Sequence, residues 1–200
     1  KRQSRTKFGS SLLVENSIQT VSDKTPDNSS AVLPTVAFVL PCLNEAKTIE
    51  WCVERARGAL HSLREKHGLD GVVIVADNGS DDGSQELART AGATVVDVPQ
   101  RGYGAALIGG FDTANATYLV MGDSDCSYDF MEAVPMIECL MQGAELCMGS
   151  RFRGEIKKGA MPWKNRYIGN PVLSGVLRFL FRTSISDAHC GLRAIRKDVY

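Results

Sequence analysis

The amino-acid sequence predicts an α/β fold in which helices flank a mainly parallel sheet. From residue 34 onward, apolar runs typical of strands alternate with segments typical of helices. The first run, 35–40, is continuously apolar, which indicates a strand that is buried on both faces. A polar cluster follows each predicted strand, and ligands of parallel α/β sheets bind at the carboxyl ends of the strands. We therefore expect a binding site at this edge of the sheet.

The predicted elements alternate regularly along the chain. Strands are expected at 35–40, 71–76, 94–98, 118–121 and 145–148. Helices are expected at 45–63, 84–91, 104–115 and 131–142. The first helix has Ile49, Val53 and Leu60 at helical spacing, and Ser84 is a natural N-cap for the second. A further amphipathic segment, 171–182, is either a core helix or a helix that lies at a membrane surface.

Composition indicates one globular domain that follows a polar tail. Residues 1–33 are rich in Ser, Lys, Asp and Asn and predict a flexible tail, whereas 34–200 form the domain. The 200 residues are 44% hydrophobic, which suffices for a core. Lys and Arg total 23, as do Asp and Glu, and this balance argues against a nucleic-acid partner. No apolar run reaches the roughly 18 residues of a membrane span.

Asp123 and Asp125 are the strongest candidates for a metal site. They follow the apolar run 118–121 and a glycine, so both carboxylates fall at the carboxyl end of a predicted strand. Hard cations such as Mg²⁺ or Mn²⁺ prefer oxygen ligands and leave positions open for substrate phosphates. Surface turns also produce an Asp-x-Asp pattern, so the pair is informative only together with the other loops.

Acidic residues also follow the first two strands. Asp77 ends the second strand, where its carboxylate can accept hydrogen bonds from a base or a ribose. The residues at 80–84 are expected to turn the chain and cap the next helix. Glu45 is expected to open the first helix, where the helix dipole alone favours a carboxylate. The alternative is that Glu45 and Pro41 frame a nucleoside pocket.

Arginines follow the third and fifth strands. Arg101 is followed by glycines, which either let backbone approach a ligand closely or simply start the next helix. Arg151 follows the fifth strand, and arginine pairs bidentately with phosphate. Farther along, Asp187 and Arg193 are either a buried ion pair or an active-site carboxylate beside a phosphate-binding cation.

Six short segments together resemble one protein family. They are PCLNE at 41–45, VADNGS at 75–80, RGYGA at 101–105, GDSD at 122–125, GSR at 149–151 and DAHCGLRA at 187–194. With them the chain resembles the family 2 glycosyltransferases of the GT-A fold. Within that family it is similar to the polyprenyl-phosphate (dolichyl-phosphate) glucosyl and mannosyl synthases. The segments span the predicted domain almost completely.

The resemblance implies how a nucleotide-diphosphate sugar donor is bound. The nucleoside would be held by Pro41, Leu43, Glu45, Val75 and Asp77. Asp123 and Ser124 would contact the donor, and Asp123 with Asp125 would bind Mg²⁺ or Mn²⁺ at its diphosphate.

The resemblance also implies the acceptor and the reaction. Arg151 and Arg166 would hold phosphates, including that of a polyprenyl-phosphate lipid, and Asp187 falls where the family's proposed catalytic carboxylate lies. The implied reaction is a metal-dependent, inverting transfer of a hexose from UDP-glucose or GDP-mannose at the cytoplasmic face of a membrane. Two alternatives are a glycosyltransferase with a soluble acceptor and a non-catalytic domain that binds a nucleotide sugar.

The sequence departs from the family pattern at several places. Ala76 precedes Asp77, where many members have two consecutive aspartates. Position 127 is a serine, where a glutamine is common in mannosyl enzymes, so UDP-glucose is the first expectation for the donor. Family members also place an arginine contact after the point where this chain ends, so we expect the domain to be truncated at its C-terminus.

Overall fold

The sheet is organised around β1 (Thr35–Cys42), an apolar strand in which every residue after Thr35 is buried. The computed structural model describes residues 35–150 and 190–200. The other strands are β2 (Asp70–Asp77), β3 (Thr94–Asp97), β4 (Tyr118–Met121), β5 (Leu146–Met148) and β6 (Arg193–Arg196). The helices are α1 (Ile49–His67), α2 (Ser84–Thr90), α3 (Tyr103–Thr113) and α4 (Ala133–Met141), with 3-10 turns at Phe130–Glu132 and Lys197–Val199.

The strands form one six-stranded sheet in the order β3-β2-β1-β4-β6-β5. β1 pairs in parallel with β2 on one side and β4 on the other, and β3 pairs in parallel with β2. β6 runs antiparallel to both β4 and β5. The prediction of a mainly parallel sheet flanked by helices is therefore confirmed.

β6 is a strand that the sequence did not predict. It lies between β4 and β5, with Ala194 opposite Val120 of β4 and Cys147 of β5. The predicted fifth strand therefore lies at the edge of the sheet and does not pair with β4. Because β6 has only four residues, with an arginine at each end, its apolar content is too small for a recognisable alternation.

The core has two halves, one on each face of the sheet. Val36, Phe38 and Leu40 of β1 pack under α1, α2 and α4, while the alternate residues Ala37 and Val39 pack under α3. Successive side chains of a strand point to opposite faces, so a strand covered on both sides must be apolar throughout. The continuous apolar run at the start of the domain is the sequence signature of this arrangement.

α1 begins four residues later than predicted, at Ile49 rather than Glu45. The amides of Thr48 and Ile49 both donate to the carbonyl of Glu45, which closes a turn before the helix starts. Glu45 therefore lies on the turn that leads from β1 into α1.

Two predicted segments lie outside the described residues, namely the polar tail at 1–33 and the amphipathic helix at 171–182. The tail and its boundary with the domain at residue 34 thus stay predictions. Across residues 35–150 and 190–200, no helix combines the length and the apolar character needed to cross a membrane.

Gly110 lets α3 lie directly on the sheet. A Cβ atom at this position would be 2.4 Å from Cγ1 of Val39 and 3.1 Å from Cβ of Ala76. Both neighbours are completely buried on β1 and β2, so neither strand can move aside easily. Gly104 lies in the same helix, and an added Cβ there meets no atom within 4 Å.

We expect Gly110→Ala to lower the free energy of unfolding by about 1–3 kcal/mol, the usual effect of overpacking a core. Gly104→Ala is the matched control, and it should leave stability unchanged or slightly higher because alanine has the greater helix propensity. Urea unfolding of both variants measures the difference. Equal stability of the two variants would contradict the close packing of α3 on β1.

Candidate functional site

A cleft of about 380 Å³ opens at the carboxyl end of the parallel strands. It lies among the loops that follow β1, β2, β3 and β4. The residues that line it are Pro41, Cys42, Leu43, Glu45, Asn78, Arg101, Gly102, Tyr103, Ala106, Asp123, Ser124 and Asp125. The cleft thus combines three carboxylates, one arginine and several apolar side chains.

Asp77 is buried at the end of β2 with only 1% of its surface exposed. Its Oδ2 accepts hydrogen bonds from the amides of Gly79 and Ser80, both at 3.0 Å, and from Nε2 of Gln85 at 2.7 Å. Oδ1 is also buried and has no hydrogen-bond partner within the described part of the chain. An unpaired buried carboxylate oxygen is costly, and a hydrogen-bond donor that reached this atom would remove that cost.

The pKa of Asp77 reflects two opposed influences. Burial raises the pKa, but the hydrogen bonds from Ser80, Gly79 and Gln85 outweigh it and hold the pKa below its ordinary value. The carboxylate is therefore charged at neutral pH. It stabilises the turn after β2 by accepting hydrogen bonds from that turn's backbone.

Two residues that follow Asp77 form hydrogen bonds with the backbone of the loop after β1. Oγ of Ser84 accepts a hydrogen bond from the amide of Glu45 at 2.8 Å, and Oδ2 of Asp82 accepts one from the amide of Ala46 at 2.9 Å. The expectation that Ser84 is the N-cap of α2 is wrong, because Gly83, with φ of 90°, occupies that position. The hydroxyl of Ser84 instead accepts a hydrogen bond from the loop after β1.

Asn78 fixes the loop between β3 and α3. The sequence analysis did not predict this role. Its side-chain nitrogen donates to the carbonyls of Val98 and Gln100 at 2.9 and 2.8 Å. Its Oδ1 accepts from the amide of Gly102 at 2.7 Å. Asn78 is 5% exposed, and all these partners lie more than 19 residues away, so the sequence offers no local signal for this role. The loop before α3 depends on it.

The two aspartates of the Asp-x-Asp segment both face the cleft. Oδ1 of Asp123 accepts a hydrogen bond from the hydroxyl of Tyr103 at 2.7 Å, and Oδ1 of Asp125 accepts one from the amide of Ser127 at 2.9 Å. Between them, the hydroxyl of Ser124 donates to the carbonyl of Pro41 at 2.7 Å. This bond ties the loop after β4 to the end of β1.

The carboxylate pair fits a cation that is shared with a substrate. No group of three or more His, Cys, Asp or Glu side chains in residues 35–150 and 190–200 is placed to enclose a metal ion. Mg²⁺ in phosphoryl and nucleotide sites is commonly held by one or two carboxylates together with substrate phosphates and water. Asp123 and Asp125 match this incomplete kind of site.

Gly191 lies so close to Asp123 and Tyr128 that an added Cβ atom would force a neighbouring side chain to move. A Cβ atom would lie 2.7 Å from Oδ2 of Asp123 and 2.9 Å from a ring carbon of Tyr128. The amide of Gly191 donates to the hydroxyl of Tyr128 at 2.8 Å. This contact brings the segment before β6 against the loop after β4.

The structure brings most of the predicted donor-site residues together. Pro41, Leu43, Glu45, Asp123, Ser124 and Asp125 all line the cleft. Val75 and Asp77 belong to β2 and are not among the residues that line the cleft, and Val75 is fully buried in the core. Arg151, Arg166 and Asp187 lie outside the described residues. Nε of Arg193, for which two roles were left open, donates to the carbonyl of Cys190 at 3.0 Å.

Tyr103 is the second residue that sequence reasoning missed. It is the first residue of α3 and 53% exposed, and its hydroxyl reaches Asp123 from across the cleft. Burial and the adjacent carboxylate of Asp123 both raise its pKa, so the phenol stays protonated and donates at neutral pH. The segment 101–104, in which glycines flank Tyr103, was the available sequence signal for a ligand contact. The sequence analysis assigned possible roles in it only to Arg101 and the glycines.

Comparison with known proteins matches residues 37–200 to the family described as Glycosyl transferase family 2. The low-salt glycan biosynthesis hexosyltransferase Agl6 of Haloferax volcanii is 37% identical over 86% of this chain and 40% of its own length. The polyprenol monophosphomannose synthase of Mycolicibacterium smegmatis is 29% identical over 86% of this chain and 66% of its own. This chain thus spans less than two thirds of either relative.

Solved structures of similar fold include glucosyl-3-phosphoglycerate synthase from Mycobacterium tuberculosis. Its complex with Mn²⁺ and UDP-glucose superposes with a TM-score of 0.59 and 25% identity, covering 83% of this chain and 57% of that one. The superposition shows that the sheet and helices have the GT-A arrangement.

The depressed pKa of Asp77 gives a testable pH dependence. Its stabilising effect is complete above the unfolded pKa of about 3.9 and is lost as pH falls toward the lower folded pKa. We expect urea midpoints of the unaltered chain to fall more steeply between about pH 5 and pH 3 than those of Asp77→Asn. Asp81→Asn, an exposed change in the same loop, should keep the steeper profile. Parallel profiles for the unaltered chain and Asp77→Asn would contradict this assignment.

Proposed function

This chain belongs to glycosyl transferase family 2, and on that premise we propose that it transfers a hexose from a nucleotide-diphosphate sugar to a polyprenyl-phosphate lipid. The proposal rests on one observation, which is that the predicted metal ligands line the same cleft as three of the predicted nucleoside-binding residues. Asp123 and Asp125 face it from one side, and Pro41, Leu43 and Glu45 line it from the first loop. A donor in this cleft would have its diphosphate near the aspartates and its nucleoside near β1 and β2.

The nucleoside end of the donor is assigned to the loops after β1 and β2. The unpaired Oδ1 of Asp77 would accept a hydrogen bond from the base or the ribose. The apolar side chains of Pro41 and Leu43 would pack against the nucleoside, and Leu43 is 47% exposed and open to such a contact. A buried acceptor next to an exposed apolar surface is a common arrangement in ligand sites.

The diphosphate end is assigned to Asp123 and Asp125, which would hold Mg²⁺ or Mn²⁺. A bound cation would supply Lewis-acid stabilisation of the negative charge that the leaving nucleoside diphosphate gains. The carboxylates of Asp123 and Asp125 are negatively charged and would repel the diphosphate if no cation were bound. Donor binding should therefore depend on the cation.

UDP-glucose is proposed as the donor, with GDP-mannose as the second candidate. The structural neighbour in complex with Mn²⁺ and UDP-glucose supports the first choice, and the relative named as a polyprenol monophosphomannose synthase supports the second. Ser127 stands where a glutamine is common in mannosyl enzymes, which favours glucose over mannose.

A lipid phosphate is a suitable nucleophile for this reaction. A phosphate monoester has its second pKa near about 6, so it is largely a dianion at neutral pH and needs little help from a base. Its oxygen would attack the anomeric carbon opposite the departing diphosphate, so the configuration of the sugar inverts. Arg151 and Arg166 are proposed to bind the acceptor phosphate, and the reaction is proposed to occur at the cytoplasmic face of a membrane.

We expect UDP and UDP-glucose to raise the melting temperature of this chain in the presence of Mn²⁺ and much less in its absence. A ligand that binds only the folded state stabilises it by mass action, by about 2.7 kcal/mol at 100 times its dissociation constant. Thermal-shift measurements with UDP, GDP, UDP-glucose and GDP-mannose, with and without Mn²⁺, would also identify the base.

The matched variants for this experiment are Asp125→Ala and Asp112→Ala. Asp125→Ala should abolish the Mn²⁺-dependent shift, whereas Asp112→Ala changes an exposed carboxylate on α3 that does not line the cleft. Transfer of labelled hexose to polyprenyl phosphate, compared with transfer to 3-phosphoglycerate, then tests the acceptor. Donor binding without transfer to either acceptor would favour a non-catalytic binding domain.

We expect Asp187→Asn to retain most of the transfer rate, because a dianionic phosphate does not require deprotonation. A positioning role for Asp187 predicts a decrease in kcat of less than about 10²-fold, whereas loss of a general base typically costs about 10²–10⁴-fold. Steady-state kinetics with polyprenyl phosphate distinguishes the two roles. Near-normal activity would exclude an essential base, whereas a decrease of about 10²-fold or more would allow Asp187 to be one.

A further inference from the structure

Tyr103 contacts the loop after β4 from a different element of the fold. Its hydroxyl donates to Oδ1 of Asp123 at 2.7 Å, across the cleft that both residues line. The two residues lie 20 positions apart, one at the start of α3 and the other after β4. A hydrogen bond to a charged acceptor is stronger than a neutral one and restricts the rotation of the carboxylate.

The position of Tyr103 is itself determined by a buried side chain. Gly102, with φ of 125°, precedes it, and the amide of Gly102 donates to Oδ1 of Asn78. Asn78 holds the same loop by its two further hydrogen bonds to backbone carbonyls. Tyr103 is therefore attached to a fixed loop even though its ring is half-exposed.

Asp123 is confined from the opposite side as well. Its Oδ2 lies close to Gly191, where an added Cβ atom would be 2.7 Å away. Tyr128 holds Gly191 in this place by accepting its amide hydrogen bond. The carboxylate of Asp123 thus lies between a hydroxyl group at one oxygen and a packed backbone segment at the other.

We propose that Tyr103 is a positioning residue that orients the Asp123 carboxylate for the cation and its diphosphate. This inference rests on the proposed function, because it assigns Asp123 to the cation. Tyr103 acts through Asp123 rather than on the nucleoside, so its hydroxyl should affect cation affinity and leave cation-independent nucleotide binding unchanged. Partners of a metal-ligating carboxylate commonly tune metal affinity in this way.

Tyr103→Phe removes the hydroxyl and keeps the ring. We expect it to raise the Mn²⁺ concentration at half-maximal thermal shift by about threefold to tenfold, measured at a fixed UDP concentration, since one hydrogen bond is lost. GDP replaces UDP if only GDP stabilises the unaltered chain. The melting temperature without ligand should fall only slightly, because Tyr103 is half-exposed, and saturating Mn²⁺ should restore most of the hexose-transfer rate.

Tyr200→Phe is the matched control. Tyr200 is 50% exposed, and its ring packs against Phe111 rather than lining the cleft. The control should keep the Mn²⁺ dependence of the unaltered chain. An unchanged Mn²⁺ dependence in Tyr103→Phe would overturn the inference, as would an equal loss of UDP binding with and without Mn²⁺. Absence of any Mn²⁺-dependent shift in the unaltered chain would instead refute the proposed function.

Discussion

The burial of β1 on both faces is the constraint on which the rest of the structure depends. This strand is hydrogen-bonded to β2 at one edge and to β4 at the other, and helices cover both of its faces. Its register therefore fixes where its neighbours end, with Cys42 opposite Asp77 and Val39 opposite Met121. The loops of the cleft begin at these paired strand ends. Their positions therefore depend on the register of β1.

Several polar side chains at this edge of the sheet form hydrogen bonds with the backbone of a neighbouring loop. The loop after β2 supplies Ser84, Asp82 and Ser80 as hydrogen-bond acceptors for backbone amides of the loop after β1. Ser124 ties the loop after β4 to the carbonyl of Pro41. These contacts satisfy backbone groups that would otherwise be unpaired away from regular secondary structure. The cleft is thus held in shape before a ligand arrives, which reduces the ordering that binding requires.

The same network joins the two ends of the proposed donor site. Asp77 and Asn78 are adjacent at the end of β2, yet Asp77 stabilises its own turn while Asn78 shapes the loop that carries Tyr103. Tyr103 then contacts Asp123 in the loop after β4. Two hydrogen bonds, from the amide of Gly102 to Asn78 and from the hydroxyl of Tyr103 to Asp123, therefore connect the end of β2 with the loop after β4 through the peptide bond between Gly102 and Tyr103.

The sequence by itself determined the α/β class, the succession of the first five strands along the chain and the edge of the sheet at which the cleft lies. It could do so because strand burial and helix amphipathicity leave characteristic patterns, and because Asp123 and Asp125 follow an apolar run and one glycine. Only the tertiary structure decided the insertion of β6, the use of Ser84 by the first loop, and the roles of Asn78 and Tyr103. These features depend on contacts between residues far apart in the chain, and the partners in such contacts cannot be identified from a periodic or local pattern in the sequence.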